Sequence, residues 1–429
     1  MNPAGRERVL HHALAFSLVL CALFSPISKS ATYFPLYAAA AFGLGLRLRA
    51  AGGGFQLPRG VARLALLWTL IAIWQLATLL ANGDTLSAAP VARALDFAPV
   101  FMLAGLPINE EWKEKAAKVS VFSLTSLTAL IILLGMFQAA TGTVYPFPVQ
   151  PFSDGNLLGF FSHHIPAGGF FSTLAVISAC LLLFWKSSAR TKIFLGILFM
   201  LLLSGSILSL SRTYFVSLCF TLPLLFFKKN LRAAAIGSAA TALFFVAAVL
   251  LLPPVKSGVT SILDLKQNPS NVERLYLWRV ARDMIESKPV AGIGYRQWGN
   301  RISEYSGRYA SEWKFTDASF HHAHNVYLHV AAETGLVGLA LFLAFWLSLL
   351  VILFRASSSA ARDGFSRGLI LGAAFAIVNL FIGGFFENNF GTLLIALLIS
   401  YVVSLALFVM DGNSRAVRYS PPPVPGDAE

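Results

Sequence analysis

Long runs of apolar residues alternate with short polar segments along most of this 429-residue chain. A helix needs about 20 apolar residues to cross some 30 Å of hydrocarbon, and many of the runs come close to that length. The pattern therefore predicts an all-α polytopic membrane protein with about twelve transmembrane helices. We place these spans at residues 9–27, 31–46, 64–81, 91–106, 119–140, 167–185, 193–210, 213–227, 233–252, 328–354, 369–386 and 391–410.

One polar segment is much longer than the others. Pro253 and Pro254 end the ninth apolar run and open a hydrophilic stretch that continues to Ala323. The chain is therefore predicted to consist of spans one to nine in residues 1–252, a large helical loop in residues 253–323, spans ten to twelve in residues 324–410, and a disordered cytoplasmic tail in residues 411–429.

Composition and charge agree with this interpretation. Hydrophobic residues make up 56% of the chain and charged residues only 12%, which is too apolar for a soluble domain of this length. A net charge of +13 would suggest a nucleic-acid partner in a soluble protein. Here the short Lys and Arg clusters lie between apolar runs, a pattern that orients membrane proteins. We therefore expect no nucleic-acid partner, cytoplasmic termini, and the large loop on the opposite, periplasmic side.

Four of the eight histidines lie within nine residues, where the large loop meets the tenth span. Histidine ordinarily titrates near neutrality, so such a cluster at a membrane boundary is a candidate for proton transfer. The alternative is interfacial packing, which we favour for His321 and His329. His324 directly precedes the predicted helix start at Asn325 and is the better functional candidate.

Arginines are predicted at the same membrane surface. Arg212 lies between spans seven and eight with almost no loop around it, and Arg274 lies on an amphipathic helix of the large loop that also carries Arg279. Such arginines need anionic partners, and protein carboxylates, lipid headgroups or a substrate phosphate would all serve. The turn that follows, residues 288–295, has two glycines, which alone are a weak phosphate-loop signal.

Several of these segments share their order and spacing with one membrane-protein superfamily. They are Ser211-Arg212, Arg274-Leu275-Tyr276-Leu277-Trp278, Pro289-Val290-Ala291-Gly292-Ile293-Gly294-Tyr295, His324-Asn325 and, after nine further residues, Gly335-Leu336-Val337-Gly338. On these residues the chain resembles the O-antigen ligase and polymerase superfamily. Its His-Asn start and its length are most similar to the O-antigen ligases of lipopolysaccharide assembly.

The resemblance implies an enzyme that moves a finished O-polysaccharide from undecaprenyl diphosphate to lipid A-core. It also implies a site at the periplasmic face of the bacterial inner membrane, contact with membrane lipids, and no cofactor. Catalysis is expected of His324, and binding of the donor diphosphate is expected of Arg212 and Arg274. The supporting residues are expected to be Arg279, Asn325, His322 and Tyr276.

These residue types suit the implied reaction. Arginine forks bind phosphates bidentately and would stabilise a departing diphosphate, while the attacking sugar hydroxyl needs a base, for which His324 is best placed. A single displacement would invert the anomeric centre without a metal. Two alternatives stay open: His324 as a cation that binds phosphate, and, as a weaker hypothesis, Zn²⁺ bound by His322, His324 and Glu333.

Other functions fit parts of the pattern. An O-antigen polymerase or a protein O-oligosaccharyltransferase would share the donor and the arginines and would differ in the acceptor. A flippase or transporter for lipid-linked sugars would need charged residues distributed across the bundle interior. The predicted spans contain almost no charged residues, which favours the transferases.

Overall fold

The computed structural model describes residues 3–50, 57–85, 96–146, 150–153, 155–309, 321–360 and 364–410. These residues form helices except for one hairpin, in which the two-residue strands β1 (Phe152–Ser153) and β2 (Asn156–Leu157) pair antiparallel. The prediction of a helical fold is therefore confirmed for the described residues.

The helices of the described residues are numbered here in chain order. They are α1 (Pro3–Phe24), α2 (Lys29–Ala50), α3 (Arg59–Ala81), α4 (Ala98–Leu103), α5 (Glu110–Thr141), α6 (His164–Phe184), α7 (Ala189–Leu208), α8 (Arg212–Lys229), α9 (Leu231–Leu251), α10 (Pro253–Leu263), α11 (Pro269–Ser287), α12 (Trp298–Ser306), α13 (Val326–Ser359), α14 (Phe365–Gly383) and α15 (Leu393–Phe408).

Eight helices of the described part are long and apolar enough to cross a membrane, namely α1, α3, α5, α6, α7, α9, α13 and α14. Predicted spans two, eight and twelve correspond to α2, α8 and α15. Of these, α8 carries Arg212 at one end and Lys228 and Lys229 at the other, and α15 has 16 residues. Part of predicted span four, residues 91–95, and the predicted tail, residues 411–429, lie outside the described residues. Twelve crossings and their sidedness stay predictions.

The fifth span starts earlier as a helix than its apolar run suggests. Asn109 caps α5 by accepting a hydrogen bond from the backbone N–H of Trp112 at 3.2 Å, and Glu110 and Glu111 occupy the first turn. Acidic residues stabilise a helix N-terminus, so the polar residues before position 119 extend the helix instead of forming a loop.

Burial distinguishes the centre of the bundle from its edge. In α6, 89% of the most apolar 18-residue stretch is buried inside the bundle, whereas in α9 only 11% of the corresponding stretch is buried. One face of α9 is therefore open to the surroundings. Helix α6 packs between α7 and α14. The N-termini of α6 and α8 meet closely, because Gly168 has no room for a Cβ beside Ser209 and Ser211. Arg212, the first residue of α8, therefore lies next to a close contact between α6 and the start of α8.

In the large loop, α11 and α12 form a small helical unit, whereas α10 packs against α8 and α9 of the bundle. The side chains of this unit make a second hydrophobic core that includes Tyr276, Leu277, Val280, Met284, Trp298 and Ile302. Ala323 and Ala332, which flank the start of α13, belong to the same core. The unit is therefore fixed against the end of α13 that follows the histidine cluster.

A kink in α13 receives the glycine-rich turn of residues 288–295. Gly335 has φ 70° and ψ −179°, and a Cβ there would collide with the carbonyl group of Val290. The interrupted helix exposes backbone groups that the turn satisfies: Ile293 N–H donates to the carbonyl of Ala332 at 2.9 Å, and Leu336 N–H donates to that of Pro289 at 2.8 Å. The turn and the Gly335-Leu336-Val337-Gly338 segment thus form one joint.

Candidate active site

His324 stands at the start of α13 in an uncommon backbone conformation. Asn325 is the N-cap residue, and its side-chain oxygen accepts hydrogen bonds from the backbone N–H groups of Tyr327 and Leu328, both at 3.0 Å. The Asn325 amide also donates to the carbonyl of Phe385 at 3.1 Å. His324 itself has φ 47°, in the left-handed region that costs energy for a residue with a side chain. The cap and its neighbours hold this conformation.

Two carboxylates flank the ring of His324. Nδ1 lies 3.0 Å from Oε2 of Glu387, and Nε2 lies 3.6 Å from Oε1 of Glu273. Glu387 is buried, whereas the Glu273 side chain is 28% exposed. The two glutamates are distant in the chain, and the fold brings both carboxylates to one imidazole.

Glu387 is ionised at neutral pH. Burial alone would raise the pKa of its carboxyl, but the hydrogen bond and charge of His324 and the charge of His322 lower it to about 2. An ionised carboxylate can only accept hydrogen bonds, so the proton shared with His324 belongs to Nδ1 of the ring. The lone pair of the neutral ring is then on Nε2, the atom that faces Glu273.

His322 lies on the other side of Glu387. Its Nε2 is 3.6 Å from Oε1 of Glu387, and its ring centroid is 4.3 Å from that of His324. Burial lowers the pKa of His322 to about 4, so this ring is neutral at pH 7. One ligand atom from each of His322, His324 and Glu387 lies within 4.8 Å of the others, so these three residues could hold a metal ion.

Glu333, which the sequence suggested as the third zinc ligand, serves a different purpose. Its carboxylate accepts hydrogen bonds from the backbone N–H groups of Arg296 at 2.8 Å and Trp298 at 3.0 Å. It thereby caps the N-terminus of α12, whose first backbone N–H groups have no partner within the helix. A zinc site built on Glu333 is therefore wrong, and the carboxylate next to the two imidazoles is Glu387.

Arg212 is held by neutral groups. Its Nη1 donates to Oγ of Ser261 at 2.8 Å, and the amide oxygens of Asn268 and Asn271 lie at 3.4 and 3.5 Å. Within the described part of the chain, no carboxylate lies within 4 Å of this guanidinium. Its positive charge is oriented but not neutralised.

Arg274 is oriented in a similar way. Its Nη1 donates to Oγ of Ser270 at 2.9 Å, and its Nε donates to the carbonyl of Phe386 at 3.3 Å. Burial lowers the pKa of this guanidinium, and the charges of Glu387 and Glu273 raise it, but neither carboxylate forms an ion pair with it in the described residues. An arginine stays protonated under these conditions, so it adds a second available positive charge.

Both arginines line one cavity of about 140 Å³, which we call the arginine cavity. The rest of its lining is mostly apolar and comprises Thr213, Val216, Ile262, Leu265, Asn271, Leu275, Trp278 and Phe386. Two partly buried cations with neutral partners attract an anion, and apolar walls strengthen that attraction.

A second and larger cavity of about 510 Å³ lies on the His322 side. The middle of α3, the first part of α13, the first part of α15 and the segment 295–300 bound it. His322 and Asn388 line this large cavity, whereas Phe386 lines the arginine cavity. The pair of Glu387 and His324 therefore lies at the border of the two.

The remaining predicted supporting residues lie outside this border. Tyr276 is buried in the core of the large loop, with its ring 6.1 Å from that of Tyr309. Arg279 is exposed on α11, where its charge acts on Tyr309, and it lines neither cavity. Asn325 supports His324 as the helix cap.

Comparison with known families adds an independent observation. Residues 197–343 match a family model described as O-antigen ligase. The resemblance to the O-antigen ligase superfamily is confirmed. The matched residues run from α7 into α13 and contain Arg212, Arg274 and His324. No curated protein matched the chain.

Sequence reasoning missed Glu387, which also lies outside the O-antigen ligase match. The available signal was Glu387-Asn388-Asn389 between the apolar runs of α14 and α15. An acidic side chain at a membrane boundary costs free energy, and its presence there indicates a functional role. Asn389 is buried and accepts a hydrogen bond from the hydroxyl of Tyr214 at 2.6 Å. That bond fixes the segment beside α8.

Proposed function

We propose that this multi-pass membrane protein is an inverting, metal-independent glycosyltransferase. It moves O-antigen polysaccharide from undecaprenyl diphosphate to lipid A-core at the periplasmic face of the inner membrane. The observation that carries the proposal is the position of His324. Glu387 orients its ring next to the arginine cavity, and no carboxylate of the described residues forms an ion pair with Arg212 or Arg274.

The arginine cavity is suited to the donor diphosphate. Arg212 and Arg274 present donors on guanidinium groups that remain charged, and the neutral groups behind them fix their direction. When the bond from the anomeric carbon to the phosphate oxygen breaks, negative charge develops on that oxygen. Preorganised positive groups stabilise such charge most strongly in a water-poor site. The apolar walls of the cavity suit the first isoprene units of the lipid.

His324 serves as the base in this proposal. Glu387 keeps the proton of the neutral ring on Nδ1, so Nε2 can take the proton of the acceptor hydroxyl as that oxygen attacks the anomeric carbon. The ring becomes positively charged, and the two flanking carboxylates stabilise that charge. The same carboxylates would stabilise a permanently protonated His324 that binds phosphate, which is the rival role.

The reaction needs no metal in this proposal, because the arginines supply the positive charge at the diphosphate. The donor set of His322, His324 and Glu387 would suit Zn²⁺, so the point requires a test. Activity of the purified protein that survives dialysis against a chelator, and does not rise with added Zn²⁺, supports the metal-independent mechanism. Loss on dialysis with recovery on Zn²⁺ would overturn it.

The identity of the acceptor distinguishes the proposed transferase from a polymerase and from a flippase. The purified protein in lipid bilayers is given undecaprenyl-diphosphate-linked polysaccharide together with lipid A-core, and the product is analysed by size and by the configuration of the new linkage. Transfer to lipid A-core with inversion is expected, and Arg212→Ala is the inactive control. Transfer only to a second lipid-linked polysaccharide would identify a polymerase. Movement of the lipid across the bilayer without transfer would identify a flippase.

A further inference from the structure

The large cavity is separate from the arginine cavity and has a different chemistry. Its volume of about 510 Å³ lies within the range typical of small-molecule sites. Aromatic side chains, among them Trp68, Phe97, Trp298 and Trp346, form much of its wall, and polar groups such as Gln75 and Asn300 project between them. It is therefore an amphipathic site and not an extension of the basic one.

The lining of the large cavity has no cluster of positive charges. Asp96 and Glu333 contribute carboxyl groups to the wall, and Arg296 is its one guanidinium among the described residues. A diphosphate would find no pair of cations there, whereas the arginine cavity provides two. A neutral ligand with hydroxyl edges and apolar faces suits the large cavity, because aromatic faces pack against C–H groups and side-chain amides bind hydroxyls. Such a ligand is a neutral sugar.

The large cavity lies close to His324, so a sugar bound in it would lie next to the proposed base. His322 lines the cavity, and the centroid of its ring is 4.3 Å from that of His324. The imidazole of His322 therefore lies between the cavity and the base. Glu387 contacts both rings, and its neighbours Phe386 and Asn388 line different cavities. A ligand in the large cavity thus meets the reaction centre on the His322 side, whereas the arginines line the other cavity.

We propose that the large cavity is the acceptor site and binds the neutral sugar end of the acceptor oligosaccharide. This inference rests on the proposed transferase function. An inverting displacement requires the attacking hydroxyl and the leaving phosphate on opposite faces of the anomeric carbon. The bond from the acceptor oxygen to the anomeric carbon forms, the bond to the phosphate oxygen breaks, and the hydroxyl proton moves to Nε2 of His324. The lipid diphosphate leaves with the electron pair.

Two substitutions test the site in different ways. Gln75 lies on α3, and Gln75→Leu keeps nearly the same volume while removing its hydrogen-bonding groups. Ala396 lies on α15 at the wall, and Ala396→Phe fills part of the space without removing a polar group. The matched control is Ala77→Phe, which adds the same ring to an exposed position of α3.

Transfer rates are measured at varied lipid A-core and at varied lipid-linked polysaccharide. We expect Gln75→Leu to raise KM for lipid A-core roughly fivefold to tenfold, as for one lost hydrogen bond, and Ala396→Phe to raise it at least as much. KM for the donor, and binding of undecaprenyl diphosphate alone, should match those of Ala77→Phe. The Gln75→Leu result decides the matter if Ala396→Phe does not fold.

The outcomes separate this inference from the proposed function. If the unmodified protein does not transfer to lipid A-core, the proposed function fails and the inference fails with it. If it transfers but Gln75→Leu and a folded Ala396→Phe keep the acceptor KM of Ala77→Phe, the cavity is not the acceptor site. A rise in the donor KM alone would assign the cavity to the donor glycan and would also overturn the inference.

Discussion

Replacement of Glu387 by Gln removes one negative charge next to His324 and leaves the volume nearly unchanged. The amide oxygen can still accept the hydrogen bond from Nδ1, so the ring keeps its orientation. The charge that stabilises the protonated ring in the transition state is lost. Because Glu387 is 3% exposed and lies 3.0 Å from Nδ1, solvent screens this charge very little.

A hydrogen bond to a charged group contributes about 1 to 2 kcal/mol more than a neutral one. At about 2 kcal/mol, Glu387→Gln should lower kcat roughly 30-fold. Glu387 itself does not titrate in the assay, since its pKa of about 2, below the ordinary 4.5, leaves it ionised at every pH above that value.

The assay is single-turnover transfer to lipid A-core at several pH values. Glu286→Gln is the matched control, because Glu286 pairs with Arg282 at 2.6 Å on an exposed part of α11, where an ion pair contributes little. A Glu387→Gln protein with the rate and the pH profile of the control would refute the orienting role. A lower rate that is accompanied by a lower unfolding temperature would reduce Glu387 to a purely structural residue.

Three further predictions concern donor binding by Arg212, the kink in α13 and the topology of the chain. Arg212→Ala should lower kcat/KM about 10²- to 10³-fold while the protein stays folded, and Arg212→Lys should recover little because a point charge cannot replace the fork; activity near the normal level in Arg212→Ala would exclude it from donor binding. Gly335→Ala should lower the temperature of thermal unfolding, because the new Cβ meets the carbonyl of Val290 and the strain costs about 1 to 3 kcal/mol; an unchanged melting curve would contradict the joint described for α13. A cysteine at Ser303, exposed on α12, should react with a membrane-impermeant thiol reagent from the periplasmic side, and reaction only from the cytoplasmic side would invert the topology.

The sequence was informative where a physical requirement acts locally. Apolar runs must be helical in a membrane, so the helices α6, α7 and α9 lie close to their predicted positions. Asn325 could be predicted as a helix start because its side chain satisfies nearby backbone donors. The start of α5 was missed, since Glu110 and Glu111 are polar yet belong to the helix.

The chemistry of the site depends on contacts that have no local signature. His324 and Glu387 are 63 positions apart, and only the packing of α14 against α13 brings them together. Glu333 looked like a ligand because it follows the histidines, but its carboxyl group accepts hydrogen bonds from the backbone at the start of α12. The large cavity is likewise formed by segments from both ends of the chain.

The central claim is that His324 takes a proton from the acceptor, and the rate of single-turnover transfer between roughly pH 6 and 8 tests it most directly. A base must be unprotonated, so the rate of the native protein should rise with pH. His324→Gln should be about 10²- to 10⁴-fold slower and nearly independent of pH, with binding of undecaprenyl diphosphate largely unchanged. A native rate that falls with pH over this range, together with no such fall in His324→Gln, would contradict the claim and leave His324 as a cationic ligand of the phosphates.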